Sequence, residues 1–537
     1  MPLFILALAG ILFTASSMMA QPVQHLAITQ PGGMPGLPVM TGIKRVTNGV
    51  QVTWDGPSGY YQVYQKSNRL TAPWVALGKA TNLLRYAVIT KLYSNASFRV
   101  SGPSPQYIGD QACAGCHDNI RNTELKTRHA RAFTNTTFVA ANRTVGYRLP
   151  SGFISVAATP QLAGVQCENC HGPAANHAAN EIDPTVRPRV ELAATVCGGC
   201  HTGPMHPTYE EWKSSEHAQV DEEVLATMNS STDNLSGCGR CHSGSVRLSL
   251  LKNDPLPVGD ADVPIVCVVC HDPHQTNGYP AQLRNPMAST SDYFLTTSDN
   301  FTNKYNPRIN ICAQCHNDRG AAWTDTSRAP HNSLQYNFLI GSIGELSDGP
   351  ATFNPGSHTG LPGSAQYSIS GTFYLTNQCV SCHMQKDAPP ANTHSHTFEV
   401  DSHDVCMNCH LFDPGQSVPA VSNKVSTVIF LLNRWAAIKA PAALRTNGAV
   451  IWEYTAPGGL IWQTNSFGFV TGWTQVDQVN FSGPNAAGQA LIPNNIKKAR
   501  FNLYLVINDG SFGVHNSIFA SRLLNAAELF VQQELLK

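Results

Sequence analysis

Cys167-Glu168-Asn169-Cys170-His171, within Gly164-Val165-Gln166-Cys167-Glu168-Asn169-Cys170-His171-Gly172-Pro173, decides how the rest of the chain is read. Two thiols three positions apart are followed at once by an imidazole. The pattern recurs at Cys113-Cys116-His117, Cys197-Cys200-His201, Cys238-Cys241-His242, Cys267-Cys270-His271, Cys312-Cys315-His316, Cys379-Cys382-His383 and Cys406-Cys409-His410. These eight motifs use all 16 cysteines. Chance would supply roughly 0.02 such motifs in a chain of this composition. C-x-x-C-H is the attachment signature of c-type haem, in which the thiols become thioethers and the histidine is the proximal iron ligand. Zinc sites do not require histidine at the next position eight times, and disulfides would not keep one gap in every pair. The expected cofactor is therefore haem c, eight per chain.

The remaining composition excludes other classes. The chain has 537 residues, enough for two to four domains. It is 42% hydrophobic with a mean hydropathy of −0.16, which is not that of a polytopic membrane protein. Charged residues are 13%, and Lys+Arg and Asp+Glu are both 35, so a basic nucleic-acid binder is excluded. Residues 2–20 are uncharged and almost all apolar, then give way to polar, Pro/Gly-rich sequence. This predicts a signal peptide over 1–20, cleaved near Ser17 or Ala20, and a periplasmic or extracellular protein. No Lys or Arg precedes the apolar run, which leaves open a start further upstream or an uncleaved anchor. No cysteine near residue 20 suggests a lipid anchor, and no later stretch is long and apolar enough to span a bilayer.

Four regions follow the leader. Residues 21–40 read as a linker, in which His25 has no expected role. Residues 41–105 alternate like short strands, at Val50–Trp54, Tyr60–Tyr64, Trp74–Leu77 and Ala96–Val100. With Val52-Thr53-Trp54, Tyr60-Tyr61-Gln62-Val63-Tyr64 and Phe98-Arg99-Val100, this segment resembles a small fibronectin type III-like β-sandwich. The resemblance implies spacing or adhesion and no chemistry. Residues 106–412 carry every motif. The 298 residues from 113 to 410 leave about 37 per haem, too few for a conventional core round each, so the haems themselves are the expected core. Motif spacings of 54, 30, 41, 29, 45, 67 and 27 exclude a simple repeat. Residues 413–537 lack cysteine and predict helices at Asn495–Ile507 and Ser517–Leu536, beyond the segment Val421–Ile438. An irregular or hairpin insertion lies near 447–482. The fold class is mainly α with low regular secondary structure, preceded by a small β-sandwich and closed by C-terminal helices packing on the haem region.

Eight of the 20 histidines stand in motifs and twelve remain. Count alone permits a second axial histidine for every iron, since neutral imidazole is an ordinary iron ligand. The candidates are His129, His177, His206, His217, His274, His331, His396 and His515, with His358, His394 and His403 as alternatives. Met384 is expected to pack rather than ligate.

With Gly164 to Pro173, Pro207-Thr208-Tyr209-Glu210-Glu211-Trp212 and Gly513-Val514-His515-Asn516, the chain resembles the multihaem c-type cytochromes that include hydroxylamine oxidoreductase, octahaem tetrathionate reductase and ammonia-forming cytochrome c nitrite reductase. The resemblance covers about 106–537, without the insertion. It implies closely stacked haem pairs, many bis-histidine, and long C-terminal helices. No motif ends in lysine, as the nitrite reductase's does, and no cross-linking tyrosine can be placed. A distal lysine, as in the tetrathionate reductase, stays open.

The leading expectation is an exported electron carrier, with other cytochromes as redox partners. An oxidoreductase of nitrite, hydroxylamine or tetrathionate is the alternative. Assembly as an oligomer or extracellular conductive filament is a third possibility. Two propionates against one net positive charge make each ferric haem about −1, so the neutral polypeptide becomes a holoprotein of about −8.

Overall fold

The computed structural model describes residues 39–537 except 48, 56–60, 68–74, 81–85, 91–95, 102–105, 136–143 apart from 138, 148–150, 277–279, 285–309, 353–378 apart from 368–369 and 373–374, 392, 401, 408–412, 414, 416–417, 446–450, 456–459, 467–469 and 476–482. The leader, His25, most of the linker, His358, Cys409 and His410 lie outside the described residues.

Six strands follow the linker: β1 (Val39–Val46), β2 (Gly49–Asp55), β3 (Tyr61–Lys66), β4 (Val75–Ala80), β5 (Tyr86–Ile89) and β6 (Ser97–Ser101). They form two three-stranded antiparallel sheets, ordered β1-β2-β5 and β4-β3-β6. Val63 lies opposite Val100, and Val52 opposite Ala87. Period-two alternation buries Val52 and Trp54 on β2 and Tyr61 and Val63 on β3. With Ile89 they make one apolar cluster drawn from both sheets. The expected linker runs into β1 at Val39, and β1 and β5 add strands the alternation did not predict.

Between 106 and 412 the described helices are short. The longest is Asp110–Glu124, and several span four or five residues. Apolar side chains gather in separate small clusters, such as Tyr107, Val145, Phe153 and Leu162, or Met228, Leu235, Val246 and Ala261.

The C-terminal region is built differently. Helices Val418–Ile438, Asn494–Asn508 and Ser517–Leu536 pack round one large apolar cluster. Val421, Val425, Val428, Ile429, Leu432 and Trp435 recur at helical spacing and make the buried face of the first. Almost every residue of the second from Ala499 onward is buried. Pro493 precedes it, as expected, and Gly510 takes φ 77° in the turn to the third. The insertion contains a hairpin, Leu460–Thr464 against Val470–Gln475, with Trp462 opposite Trp473. Trp452 and Tyr454 are buried in the helical core, and the Arg500 guanidinium lies 4.1 Å from the Tyr454 ring centre while donating to the Trp452 and Glu453 carbonyls. No described helix is long and apolar enough to cross a membrane.

Candidate haem-binding sites

In all eight motifs the first cysteine sits in a helix, within Asp110–Glu124, Cys167–His171, Thr195–Gly198, Thr232–His242, Cys267–Cys270, Asn310–Ala313, Cys379–His383 and Asp404–Met407. In a regular helical turn, positions i, i+3 and i+4 share one face, the arrangement that would present two thiols and an imidazole to one macrocycle. The turn is closed by backbone bonds from His201, His271 and His316 to the carbonyls of Cys197, Cys267 and Cys312, each 2.9 Å. Within the second motif, Glu168 is buried and accepts from the N–H groups of Gly109 (2.8 Å), Ile108 (3.0 Å) and Ala174 (2.8 Å). One carboxylate thus ties the start of the first motif's helix to the second motif. Burial raises its pKa against these three donors.

Seven described motif histidines each face a second histidine. Ring centres are 6.4 Å apart for His117 and His177, 5.8 Å for His171 and His274, and 6.0 Å for His201 and His129. The separations are 6.0 Å for His242 and His331, 6.3 Å for His271 and His396, 6.2 Å for His316 and His217, and 6.1 Å for His383 and His515. Two imidazoles on one metal, with bonds of about 2 Å and about 1 Å from nitrogen to ring centre, have centres about 6 Å apart. The side chains therefore fit a metal held between paired imidazoles. Among the described residues, no group of three or more His, Cys, Asp or Glu side chains gathers as a bare metal ion would need.

Burial holds most of these imidazoles below their usual pKa, and hence neutral: His201 falls to about 3, and His217, His331 and His396 to about 4. His515 differs. Burial lowers its pKa, but the charge and hydrogen bond of Asp509 outweigh burial and raise it. Hydrogen bonds at Nδ1 fix several rings. His171 meets the Arg189 carbonyl at 2.7 Å, His271 that of Ala281 at 2.6 Å, His383 that of Phe398 at 3.0 Å and His396 that of His394 at 2.7 Å. His316 meets Gln335 Oε1 at 3.3 Å. Each such acceptor leaves Nε2 for a metal.

The motifs also touch one another. Cys113 neighbours Cys167, Cys197 neighbours Cys267, Cys241 neighbours Cys315, and Cys312 neighbours Cys379, each pair close enough for its thiols to shift one another's ionisation. Cys170 interacts electrostatically with Cys200, and Cys270 with Cys312 and Cys315. The fourth and sixth motifs cross reciprocally: Cys241 Sγ approaches the Gln314 carbonyl and Cys315 Sγ that of Arg240, each at 4.0 Å. Buried Arg247 hydrogen-bonds Gln314 at the same crossing.

The expected eighth distal histidine takes another position. His206 lies beside His201, with ring centres 4.4 Å apart and their Nδ1 atoms 3.1 Å apart, a hydrogen bond rather than a metal-spanning separation. Every described motif histidine is already faced by one of the other seven candidates. His394 points Nδ1 at the Met384 carbonyl (3.0 Å), and exposed His403 lies 2.9 Å from Asp413 Oδ1.

The other stretches quoted for the resemblance have structural reasons. A side-chain carbon on Gly198 would stand 2.6 Å from the Tyr209 ring, so Tyr209 closes over the third motif. Glu211 accepts from the His396 N–H at 2.9 Å, and Trp212 Nε1 donates to the Ile265 carbonyl at 2.9 Å. Asn516 caps the last helix by accepting from Phe519 N–H (3.1 Å) and donates to the Leu339 carbonyl (3.0 Å), which anchors the chain immediately after His515. Phe398 was not singled out by the sequence. At φ 60° it lies edge-on to His217, ring centres 4.4 Å apart, while its carbonyl holds His383. Its signal was present only as the neighbour of His396.

Residues 140–172, which include the second motif, match the family described as cytochrome c554 and c-prime. No curated protein sequence matches the chain. Two solved structures are similar. One is the outer cell wall cytochrome OcwA, at 18% identity and TM-score 0.48, covering 79% of this chain and all of that one. The other is the undecahaem cytochrome from the S-layer of Carboxydothermus ferrireducens, at 18% identity and TM-score 0.46, covering 80% of this chain and 70% of that one. With eight attachment motifs and a matched cytochrome segment, the chain is a multihaem c-type cytochrome.

Proposed function

We propose that the chain is an exported octahaem electron carrier whose irons are held between paired histidines. The observation that carries this reading is the set of seven histidine pairs with ring centres 5.8–6.4 Å apart. Haem c bound there supplies one-electron exchange between ferric and ferrous iron. His177, His274, His129, His331, His396, His217 and His515 are assigned as distal ligands to the motifs of His117, His171, His201, His242, His271, His316 and His383. His206 is assigned as the hydrogen-bond partner of His201. His410 is the proximal ligand of the eighth haem, and His358 and His403 are the candidates opposite it.

Two imidazoles per iron leave no position for a substrate, which favours conduction over catalysis. Among the described motifs, the cysteine neighbours support an order first, second, third, fifth, sixth, seventh, with the fourth beside the sixth. The sixth motif is therefore a junction rather than a link. Covalent attachment and Nδ1 hydrogen bonds hold the ligands in place, so little rearrangement accompanies each transfer.

Export rests on the apolar segment 2–20 and on haem attachment to C-x-x-C-H outside the cytoplasmic membrane. The two N-terminal sheets serve as a fibronectin type III-like spacer, placing the haem array at a distance from whatever anchors the chain. A holoprotein of about −8 suits basic redox partners.

The test is turnover. Purified holoprotein reduced under anaerobic conditions is expected to be oxidised fully by a multihaem cytochrome or a soluble ferric chelate, and to show no nitrite, hydroxylamine or tetrathionate activity. Sustained consumption of any of these three would overturn the carrier reading.

A further inference from the structure

Six described axial candidates have Nδ1 against a neutral acceptor: the carbonyls opposite His171, His271, His383 and His396, the Gln335 amide opposite His316, and the His206 ring opposite His201. His515 is held by a carboxylate. Its Nδ1 lies 2.7 Å from Asp509 Oδ1, and the Asp509 side chain is fully buried. Two other carboxylates come near. Asp272 lies 3.9 Å from His274 Nδ1 and is paired with Arg284 at 2.8 Å. Asp413 lies 2.9 Å from His403 Nδ1, but the Asp413 and His403 side chains are both exposed to solvent, which screens the charge. Among the described residues, no Lys or Arg pairs with Asp509.

The turn between the last two helices builds this contact. Asp509 follows the helix Asn494–Asn508, and its backbone N–H donates to the Leu505 carbonyl (3.1 Å). Its second oxygen accepts the Ser511 hydroxyl and, at 3.3 Å, the Ser511 N–H. Ser511 Oγ accepts in turn from the His515 N–H at 3.1 Å. Asp509, Ser511 and His515 thus lock one another.

We propose that Asp509 is a positioning residue that makes His515 the most electron-donating axial ligand of the described set and so gives the seventh-motif haem the lowest potential. A carboxylate on the far side of an imidazole raises ligand basicity and stabilises the ferric over the ferrous state. Low dielectric strengthens the effect, since among the described residues no Lys or Arg pairs with the carboxylate. The seventh motif neighbours the sixth through Cys379 and Cys312. An electron placed on it runs downhill towards the sixth-motif junction. The inference rests on the reading of His383 and His515 as an axial pair.

The experiment compares wild-type, D509N and H515A holoproteins by redox titration of the haem absorbance and by EPR, with total haem measured in each. In D509N the component that reduces last, about one haem in eight, is expected to become easier to reduce by tenfold or more, which is about 59 mV for one electron. The other components stay put, and haem content and low-spin EPR signals are retained. An unchanged last component, or movement of a different one, overturns the assignment to Asp509. H515A separates this failure from failure of the underlying reading: a high-spin signal of about one haem confirms the axial pair, whereas an all-low-spin spectrum refutes the pair and the proposal together. If D509N fails to take up haem, S511A replaces it. Removing a donor from the carboxylate is expected to make the same component harder to reduce, and no shift or the opposite shift overturns the proposal.

Discussion

The haem-bearing region and the C-terminal helices solve the same problem, burial of enough apolar surface to hold a fold, in opposite ways. Between 106 and 412 the apolar clusters are small and separate, and the helices short. After 418, three long helices close round one continuous core, which also takes in Leu334, Phe338, Ile343 and Leu346 from the preceding region. Short helices in isolation are marginal, because nucleation is costly and packing supplies most of their stability. The first region is therefore expected to depend on its cofactors as packing material, while the second is an ordinary hydrophobic core that carries His515 to face His383 of the seventh motif.

The largest expected effect breaks this contrast outright. A chain made without haem attachment is expected to be cleaved throughout 106–412 by limited proteolysis, with the segment from about 418 to 537 surviving. Equal protection of both regions would contradict the division. Next is Glu168→Ala, which strands the three N–H groups joining the first two motifs. Loss of charged, buried hydrogen bonds predicts destabilisation of about 3 kcal/mol or more, read as lowered protection of amides near 108–110 and 174 in hydrogen exchange. Glu168→Gln should recover part of it. Leu503→Ala, at a fully buried position of the bundle, is expected to cost about 2–5 kcal/mol in thermal or denaturant unfolding, while leaving the haem spectrum unchanged. A spectral change there would mean that the bundle core and the haem sites are not separable.

The smallest effect sharpens the comparison through pH. Burial, and then Asp110, push Glu124 up to about 7. A carboxyl whose folded pKa exceeds its unfolded value contributes stability below the unfolded pKa, and loses it as pH rises through about 7. The contribution is at most about 3 kcal/mol. Glu124→Gln should flatten the dependence of unfolding temperature on pH between pH 5 and 7, and an unflattened curve would remove Glu124 as its source.

The two regions also differed in how far their sequence could be read. The helix Ser517–Leu536 was legible to the residue, and Asn494–Asn508 to within one at each end, because a 3.6-residue apolar period needs only local information. The eight motifs were legible for the same reason: their chemistry lies within one helical turn. What pairs with what was not. His274 stands three residues after the fifth motif yet faces His171 of the second, and His129, which follows the first motif, faces His201 of the third. Such partners depend on how motifs cross, and motif spacing does not encode that. His206 shows the limit. By type and position it resembled the ligands, and only the Nδ1 contact with His201 distinguishes it as a hydrogen-bond partner. Glu168 and Asp509 were invisible as single acidic residues, since their roles come from burial against N–H groups and against an imidazole.

The central claim is that paired histidines fill both axial positions of every iron, and it is tested most directly by spin state. EPR of the oxidised holoprotein, quantified against total haem, is predicted to show eight haems, all low-spin. A high-spin ferric signal accounting for about one haem or more in eight would contradict the account and point to an open, catalytic site.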